Sequence, residues 1–139
     1  MKNLSRIIII DDDPINNMIC KKVIKNDFKK LEVVSFEYPI EALDYIKAEY
    51  SFVNRDEPSI LLLDLNMPII SGWQFLEEYS EFSDTIKNNF IIYILSSSIS
   101  ETDKARAAEN KYVKGYIEKP FNSQTCKSMI LNYKLQLVL

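Results

Sequence analysis

The sequence predicts an α/β domain in which a parallel β-sheet carries helices on both faces. Short apolar runs typical of buried strands alternate with longer stretches that carry apolar residues at helical spacing. The strand-like runs end in polar or charged residues, as strands do when they bring side chains to one edge of a parallel sheet. Strands that alternate with helices are joined by right-handed crossovers, so a doubly wound sheet of five strands with five helices follows.

The first strand is predicted at Arg6–Ile10, where four isoleucines follow an arginine. It ends at three consecutive carboxylates, Asp11, Asp12 and Asp13. Pro14 suits the first turn of a helix, where its missing N–H costs no hydrogen bond. The apolar face of this helix is predicted to comprise Ile15, Ile19, Val23 and Phe28.

A second strand is predicted at 31–36, followed by a helix over 38–46 that has Pro39 in its first turn. Residues 54–58 are polar and predict a loop. The third strand, Ser59–Leu63, is apolar after its first residue and is predicted to be buried on both faces.

Asp64 follows that strand directly and is the residue around which the chain is organised. Pro68 prevents the strand from continuing, so the carboxylate is expected at the strand's C-terminal tip. Burying a charge costs several kcal/mol, on the order of the whole stability of a domain, unless it is paired or metal-bound. A simple turn-capping role is the alternative for Asp64.

The second half of the chain continues the alternation. A helix is predicted from Ser71 or Gly72 to a polar stretch near Ser83, and the fourth strand, 90–95, ends in the hydroxyls of Ser96, Ser97 and Ser98. A helix over 100–112 and a strand over 115–121 follow. The last helix is predicted from Ser123, with one apolar face formed by Cys126, Met129, Ile130, Tyr133 and Leu137.

Composition restricts the classes of function. The 139 residues are expected to form one domain, 1–139, and no apolar stretch reaches the ~20 residues of a membrane span. The N-terminus lacks a signal-peptide pattern, so a cytoplasmic location is expected.

A net charge of −3 without a basic run argues against direct nucleic-acid binding. Two cysteines, Cys20 and Cys126, are expected to be reduced and buried.

The absence of certain residues also excludes chemistry. The chain has no histidine, so it holds no histidine-based triad, no histidine-ligated zinc and no phosphohistidine of its own. Its two glycines cannot form a phosphate-binding glycine-rich loop.

The polar residues at the strand ends are expected to converge at one edge of the sheet. They are Asp11, Asp12, Asp64, Ser96 and Lys119. Three carboxylates held together repel each other and require a cation or raised pKa values. Oxygen ligands of this kind suit Mg²⁺. With the metal and Lys119 screening an incoming phosphoryl group, one carboxylate can act as the nucleophile and form an acyl phosphate, while Ser96 donates its hydroxyl to a phosphoryl oxygen.

Four motifs in order resemble the receiver domain of two-component response regulators, of the CheY-like kind. The motifs are Ile10-Asp11-Asp12-Asp13, Leu63-Asp64-Leu65-Asn66-Met67-Pro68 with Gly72, Leu95-Ser96-Ser97, and Lys119-Pro120-Phe121. The resemblance covers essentially the whole chain. The sequence differs from the usual family pattern at Ser71, where an acidic residue is common, and at Ser96, where threonine is more common.

The resemblance implies a flavodoxin-like sheet in the order 2-1-3-4-5 and a role for each motif residue. Asp64 would be the phosphorylated residue and, with Asp11, Asp12 and the backbone carbonyl of Asn66, a ligand of Mg²⁺. Lys119 would pair with the phosphate, Ser96 would be the switch hydroxyl and Tyr116 the switch aromatic. The Lys119–Pro120 bond would be cis. Asp13 would not be a ligand.

The implied function is that of a single-domain response regulator in a phosphorelay. It would take a phosphoryl group from a histidine kinase or histidine phosphotransfer protein and catalyse only its own phosphorylation and dephosphorylation. The signal would pass to a downstream protein through the fourth and fifth predicted helices and the fifth strand, around Ala105, Ala108 and Tyr112. The apolar residues 135–139 either widen that surface or pack against the domain.

Two alternatives are open at this point. The acidic triplet after four isoleucines also resembles the start of haloacid-dehalogenase-like phosphohydrolases, but that family has threonine where this chain has Ile15, and a cap insertion that 139 residues cannot hold. A degenerate receiver that serves only as a binding scaffold is the other alternative. It would be favoured by loss of an acidic residue or the lysine, and all are present.

Overall fold

The structure, a computed structural model, describes residues 4–51 and 58–138, with side chains described to residue 135. Its five strands are β1 Arg6–Ile10, β2 Glu32–Phe36, β3 Ser59–Leu63, β4 Phe90–Ser96 and β5 Val113–Glu118. Its helices within the described residues are α1 Pro14–Asp27, α2 Pro39–Tyr50, α3 Gly72–Ser80, α4 Asp84–Lys87, α5 Glu101–Glu109 and α6 Ser123–Val138.

The strands form one parallel sheet in the order β2-β1-β3-β4-β5, so the flavodoxin-like order is confirmed. β1, β3 and β4 lie in the centre, and their near-continuous apolar sequences fit strands that are covered on both faces. The edge strands β2 and β5 are less buried. The carboxyl ends of all five strands therefore lie along the same edge of the sheet.

Alternate residues of the strands face two separate hydrophobic cores. Ile8, Leu61 and Ile92 point to the core that α2, α3, α4 and α5 cover. Their neighbours Ile7, Ile60 and Ile91 point to the core that α1 and α6 cover. This period of two along each strand, with helices on both sides, is the doubly wound arrangement that the sequence predicted.

The prediction for the buried face of α1 holds for Val23 and Phe28, which pack against the core, and is wrong for Ile15 and Ile19. Ile15 and Ile19 are 62% and 43% exposed, whereas the buried residues of the helix are Asn17, Cys20 and Ile24. The Asn17 side-chain amide donates to the Asp11 carbonyl at 2.9 Å, so a polar residue is buried at the start of the helix. With Asn17, Cys20 and Ile24 on the buried face, the isoleucines at 15 and 19 lie on the outward face of the helix.

Several boundaries differ from the predicted ones. Residues 84–87 form a short additional helix, α4, where only a polar stretch was expected, and Ser83 caps its start. α5 ends at Glu109 rather than near 112, and β5 begins at Val113 rather than Gly115. The predicted loop at 54–58 lies outside the described residues except for Pro58.

The last helix packs as predicted where its side chains are described. Cys126, Met129, Ile130 and Tyr133 are buried, while Leu135 is 51% exposed. Leu137 and Leu139 lie outside the described side chains, so both roles of the apolar end, 135–139, stay predictions. Cys20 and Cys126 are free, buried thiols, as expected. Among the described residues, no helix is both long and apolar enough to cross a membrane.

Candidate functional site

The ends of four strands bring the predicted site residues to one edge of the sheet. Asp11 and Asp64 directly follow the paired ends of β1 and β3, and the Asp64 N–H donates to the Ile10 carbonyl at 2.9 Å. On the other side, the Lys119 N–H donates to the Ser96 carbonyl at 2.9 Å, which continues the pairing of β4 with β5. The sheet's own hydrogen bonds therefore position these residues.

Asp11, Asp12 and Asp64 form an acidic cluster. One carboxylate oxygen from each lies within 4.8 Å of the others. Asp11 and Asp64 are buried, and Asp12 is the more exposed member at the mouth of the site. Close oxygen donors with like charge repel unless a cation lies between them, and Mg²⁺ prefers this donor set. The three carboxylates fit a divalent cation.

Lys119 provides the positive charge of the cluster. Its Nζ lies 2.7 Å from Asp11 Oδ2 and 3.8 Å from Asp64 Oδ1, so it hydrogen-bonds to Asp11 and forms only a longer ion pair with Asp64. Burial opposes its charge, but the hydrogen bond to Asp11 and the two carboxylates outweigh burial and raise the pKa of the Lys119 ammonium. The Lys119–Pro120 bond is cis, which agrees with the prediction.

Asp64 lies where its negative charge is disfavoured. Burial raises the pKa of its carboxyl from 3.8 to about 6, and the nearby Asp11 charge adds to the rise. Lys119 and a hydrogen bond from the Asn66 backbone N–H oppose this shift without cancelling it. A carboxylate of this kind gains from any added positive charge, whether a metal ion or a closer lysine.

Two asparagines that the sequence analysis missed hold Asp11 in place. Asn16 Nδ2 donates to Asp11 Oδ2 at 2.8 Å, and Asn17 Nδ2 donates to the Asp11 carbonyl at 2.9 Å. The Asp13 backbone N–H donates to Asp11 Oδ1 at 2.9 Å, and the Asp13 side chain caps α1 by accepting from the Ile15 N–H at 3.0 Å. The sequence signal was a pair of asparagines in the first turn of a helix that starts at the acidic triplet.

Ser96 and Tyr116 meet at the same backbone turn after β4. Ser96 is buried, and its Oγ accepts from the Ser98 N–H at 3.1 Å. The Tyr116 hydroxyl donates to the Ser98 carbonyl at 2.7 Å. Ser98 Oγ in turn donates to Asp103 Oδ2 at 2.6 Å on α5. The two predicted switch residues are thus linked through Ser98 rather than by a direct contact.

The loop after Asp64 is tightly constrained. A Cβ at Gly72 would lie 2.4 Å from the Asp64 carbonyl oxygen, so only glycine fits there. The Gly72 N–H donates to the Leu65 carbonyl at 2.9 Å. Ile69 has a φ of 72° and is 79% exposed. For a β-branched residue that left-handed conformation is strained, by about 1–2 kcal/mol.

The chain matches the family model of the response regulator receiver domain over residues 7–131. Among curated proteins, it is 31% identical over 118 residues to the phosphate regulon transcriptional regulatory protein PhoB of Escherichia coli (strain K12). That match covers 84% of this chain and 46% of PhoB, so the chain spans about half the length of that relative. It is 24% identical over 125 residues to the chemotaxis protein CheY of Halobacterium salinarum, covering 90% of this chain and 92% of that one.

Solved structures agree with the family match. A two-component response regulator from Cytophaga hutchinsonii is 29% identical and superposes with a TM-score of 0.79, over 95% of this chain and 99% of that one. A response regulator receiver protein from Dyadobacter fermentans superposes with a TM-score of 0.82 over 95% and 98% of the two chains, and at 20% identity it supports the fold alone. The chain belongs to the response regulator receiver domain family.

Proposed function

We propose that this receiver accepts a phosphoryl group at Asp64 from a phosphohistidine on a partner protein, in a reaction that requires Mg²⁺. The observation that carries the proposal is the position of Asp64, a buried carboxylate that ends a central strand beside Asp11, Asp12 and Lys119. The donor histidine lies on the partner, since this chain has none. We infer that residues 1–139 act as one receiver unit.

In the proposed transfer, an Asp64 carboxylate oxygen attacks the phosphorus of the phosphohistidine. The new P–O bond forms as the P–N bond breaks, and the electron pair of that bond stays on the imidazole nitrogen, which then takes a proton from solvent. Asp64 becomes an acyl phosphate. Hydrolysis of that group by water resets the receiver, so the chain acts on its own carboxylate rather than on a separate substrate.

The residues that would hold Mg²⁺ are Asp11, Asp12, Asp64 and the backbone carbonyl of Asn66. When bound, the ion supplies positive charge against the carboxylates and the phosphoryl oxygens. Lys119 supplies a second positive charge next to Asp11 and Asp64, and Ser96 lies at the end of the neighbouring strand, where its hydroxyl can donate to a phosphoryl oxygen.

Neither alternative has a specific observation in its favour. The family match does not favour a haloacid-dehalogenase-like phosphohydrolase, and Asp13, which that mechanism would need as an acid, caps α1 instead. A degenerate binding scaffold would not need the clustered carboxylates and the lysine that lie together here.

We propose that the signal leaves through α5, β5 and α6, where a downstream protein would bind. α5 is held to β5 by Ala107 and by the ion pair between Lys104 and Glu118. A groove of about 310 Å³ lies between α5 and β5 and includes Ala108 and Tyr116 in its lining. Its position beside Tyr116 would let a partner distinguish two positions of that ring.

The test is phosphorylation by acetyl phosphate with Asp64→Asn as the variant. The parent protein should acquire one acid-stable, base-labile phosphoryl group, but none when Mg²⁺ is chelated before acetyl phosphate is added, and Asp64→Asn should acquire none. Asp13→Asn is the matched control, because asparagine caps a helix as well as aspartate does and should leave labelling intact. Base-labile labelling of Asp64→Asn would contradict the assignment.

A further inference from the structure

The carboxylate of Asp11 accepts hydrogen bonds from three groups, two of them on the same oxygen. Asp11 Oδ1 accepts from the Asp13 backbone N–H, while Oδ2 accepts from both Asn16 Nδ2, at 2.8 Å, and Lys119 Nζ, at 2.7 Å. We propose that Asn16 is a positioning residue that holds Asp11 when Lys119 turns toward a phosphoryl group on Asp64. This inference rests on the proposed function.

Lys119 is bound to Asp11 before any transfer. Its ammonium is 3.8 Å from Asp64 Oδ1, beyond hydrogen-bond distance, and the added negative charge of a phosphoryl group there would draw it away from Asp11 Oδ2. The Asp11 side chain is only 2% exposed, which leaves little access for water to replace the lost donor. Without Asn16, Oδ2 would then keep no hydrogen-bond donor from the protein, and that cost would oppose the transfer even with Mg²⁺ held by the same carboxylate group.

Asn16 removes that cost because its donor does not depend on Lys119. The residue lies in the first turn of α1, which is fixed by the Asp13 cap and by the hydrogen bond from the Asn17 amide to the Asp11 carbonyl. Its amide is neutral, so it does not compete with Lys119 for the phosphoryl group. With Asn16 in place, Oδ2 keeps one hydrogen bond throughout, and the carboxylate keeps its orientation.

The experiment measures binding of beryllofluoride with Mg²⁺, a mimic of the phosphoryl group, to the full chain by ¹⁹F NMR. Asn16→Leu, which has a similar volume and no donor, should weaken binding at least tenfold, equivalent to about 1.4 kcal/mol. Asn16→Gln, which keeps an amide on a longer stem, should recover most of the affinity. Asn26→Leu is the matched control, since Asn26 is exposed near the end of the same helix and should not change binding.

Urea denaturation without ligand separates this role from a merely structural one. Lys119 still covers Oδ2 in unliganded Asn16→Leu, so its unfolding midpoint should shift no more than that of Asn26→Leu. An unchanged beryllofluoride affinity in Asn16→Leu, or a loss of unliganded stability that accounts for the weaker binding, would overturn the inference. Failure of the parent protein to bind beryllofluoride would instead contradict the proposed function.

Discussion

At the scale of single residues, the environment of Asp64 sets the electrostatic behaviour of the site. Burial and the charge of Asp11 raise its pKa to about 6 from 3.8. At a pH between those two pKa values, the carboxyl group is protonated to a greater extent in the folded chain than in the unfolded chain. Its contribution to stability therefore falls as the pH rises through that window, and ionised Asp64 destabilises the unliganded protein at neutral pH.

Asp64→Asn should therefore stabilise the unliganded protein above about pH 7, by about 1–2 kcal/mol after allowing for water at the mouth of the site. The difference from the parent should disappear near pH 4, where Asp64 is protonated in the folded state. Urea denaturation with a chelator present, at both pH values, measures it. Asp44→Asn, which removes an exposed carboxylate on α2, is the control. A stabilisation of Asp64→Asn that is equal at both pH values would show that its charge is not the cause.

The sequence was sufficient to predict which residues reach the edge of the sheet, but not how they bind one another. Asp11, Asp64 and Lys119 follow recognisable strands, and strand ends have a fixed location in a parallel sheet. Asn16 looks like any polar residue of a helix, because its hydrogen bond to Asp11 depends on the rotation of α1. The predicted rotation was wrong for the first half of α1, where the isoleucines at 15 and 19 face outward.

At the scale of elements, the start of α3 is built against the backbone that carries Asp64. The Ser71 side chain accepts from the Gln74 N–H, and the Gln74 side chain accepts from the Ser71 N–H, which is a capping box. Gly72 then lets the helix approach the Asp64 carbonyl more closely than any side chain would allow. The helix start and the Asp64 loop thus form one packed unit.

Gly72→Ala should destabilise the fold by about 1–3 kcal/mol, because its methyl group would overlap backbone atoms that cannot rotate away. The better helix propensity of alanine, worth up to about 1 kcal/mol, should not compensate. Chemical denaturation measures the change, with Glu77→Ala on the exposed face of α3 as the control. Equal stability of the parent and Gly72→Ala would mean that the Asp64 loop can shift to make room for the methyl group, which would contradict this prediction.

At the scale of the whole molecule, the site is joined to the surface formed by α5, β5 and α6 through the turn after β4. Ser96, Ser98 and Tyr116 are linked by hydrogen bonds at that turn, and Ser98 also bonds to Asp103 on α5. A shift of the Ser96 hydroxyl toward Asp64 would break its bond with the Ser98 N–H. The resulting movement of Ser98 should reach both Tyr116 and α5, because both are hydrogen-bonded to Ser98.

Beryllofluoride with Mg²⁺ should therefore change backbone NMR shifts throughout residues 96–121 as well as around Asp64. Ser96→Ala should reduce the changes beyond the site, because it removes the hydroxyl that would move. Ser97→Ala, which removes an exposed hydroxyl from the adjacent position, should leave them unaltered. Shift changes confined to the acidic cluster and the Asp64 loop, or equal in the parent and Ser96→Ala, would contradict this route.

The fold itself was largely predictable because the strands are strongly apolar and their order follows the family pattern. Short features were not, because they depend on local contacts rather than on periodicity. The four-residue helix α4 depends on a single capping serine, Ser83, and the strained φ of Ile69 has no signal in the side chain itself. Both lie in connections, where the apolar pattern carries little information.

Trp73 gives the molecule an optical property. It is the chain's single tryptophan, it directly follows Gly72, and the guanidinium carbon of Arg106 lies 4.3 Å from the centroid of its ring. That contact joins α3, beside Asp64, to α5, beside the turn that holds Tyr116. Because a nearby cation alters the energy of the indole excited state, we expect the wavelength and intensity of Trp73 emission to change when the contact between α3 and α5 changes. Trp73 emission from the unlabelled protein could therefore report movement of α5 relative to α3, which starts beside Asp64.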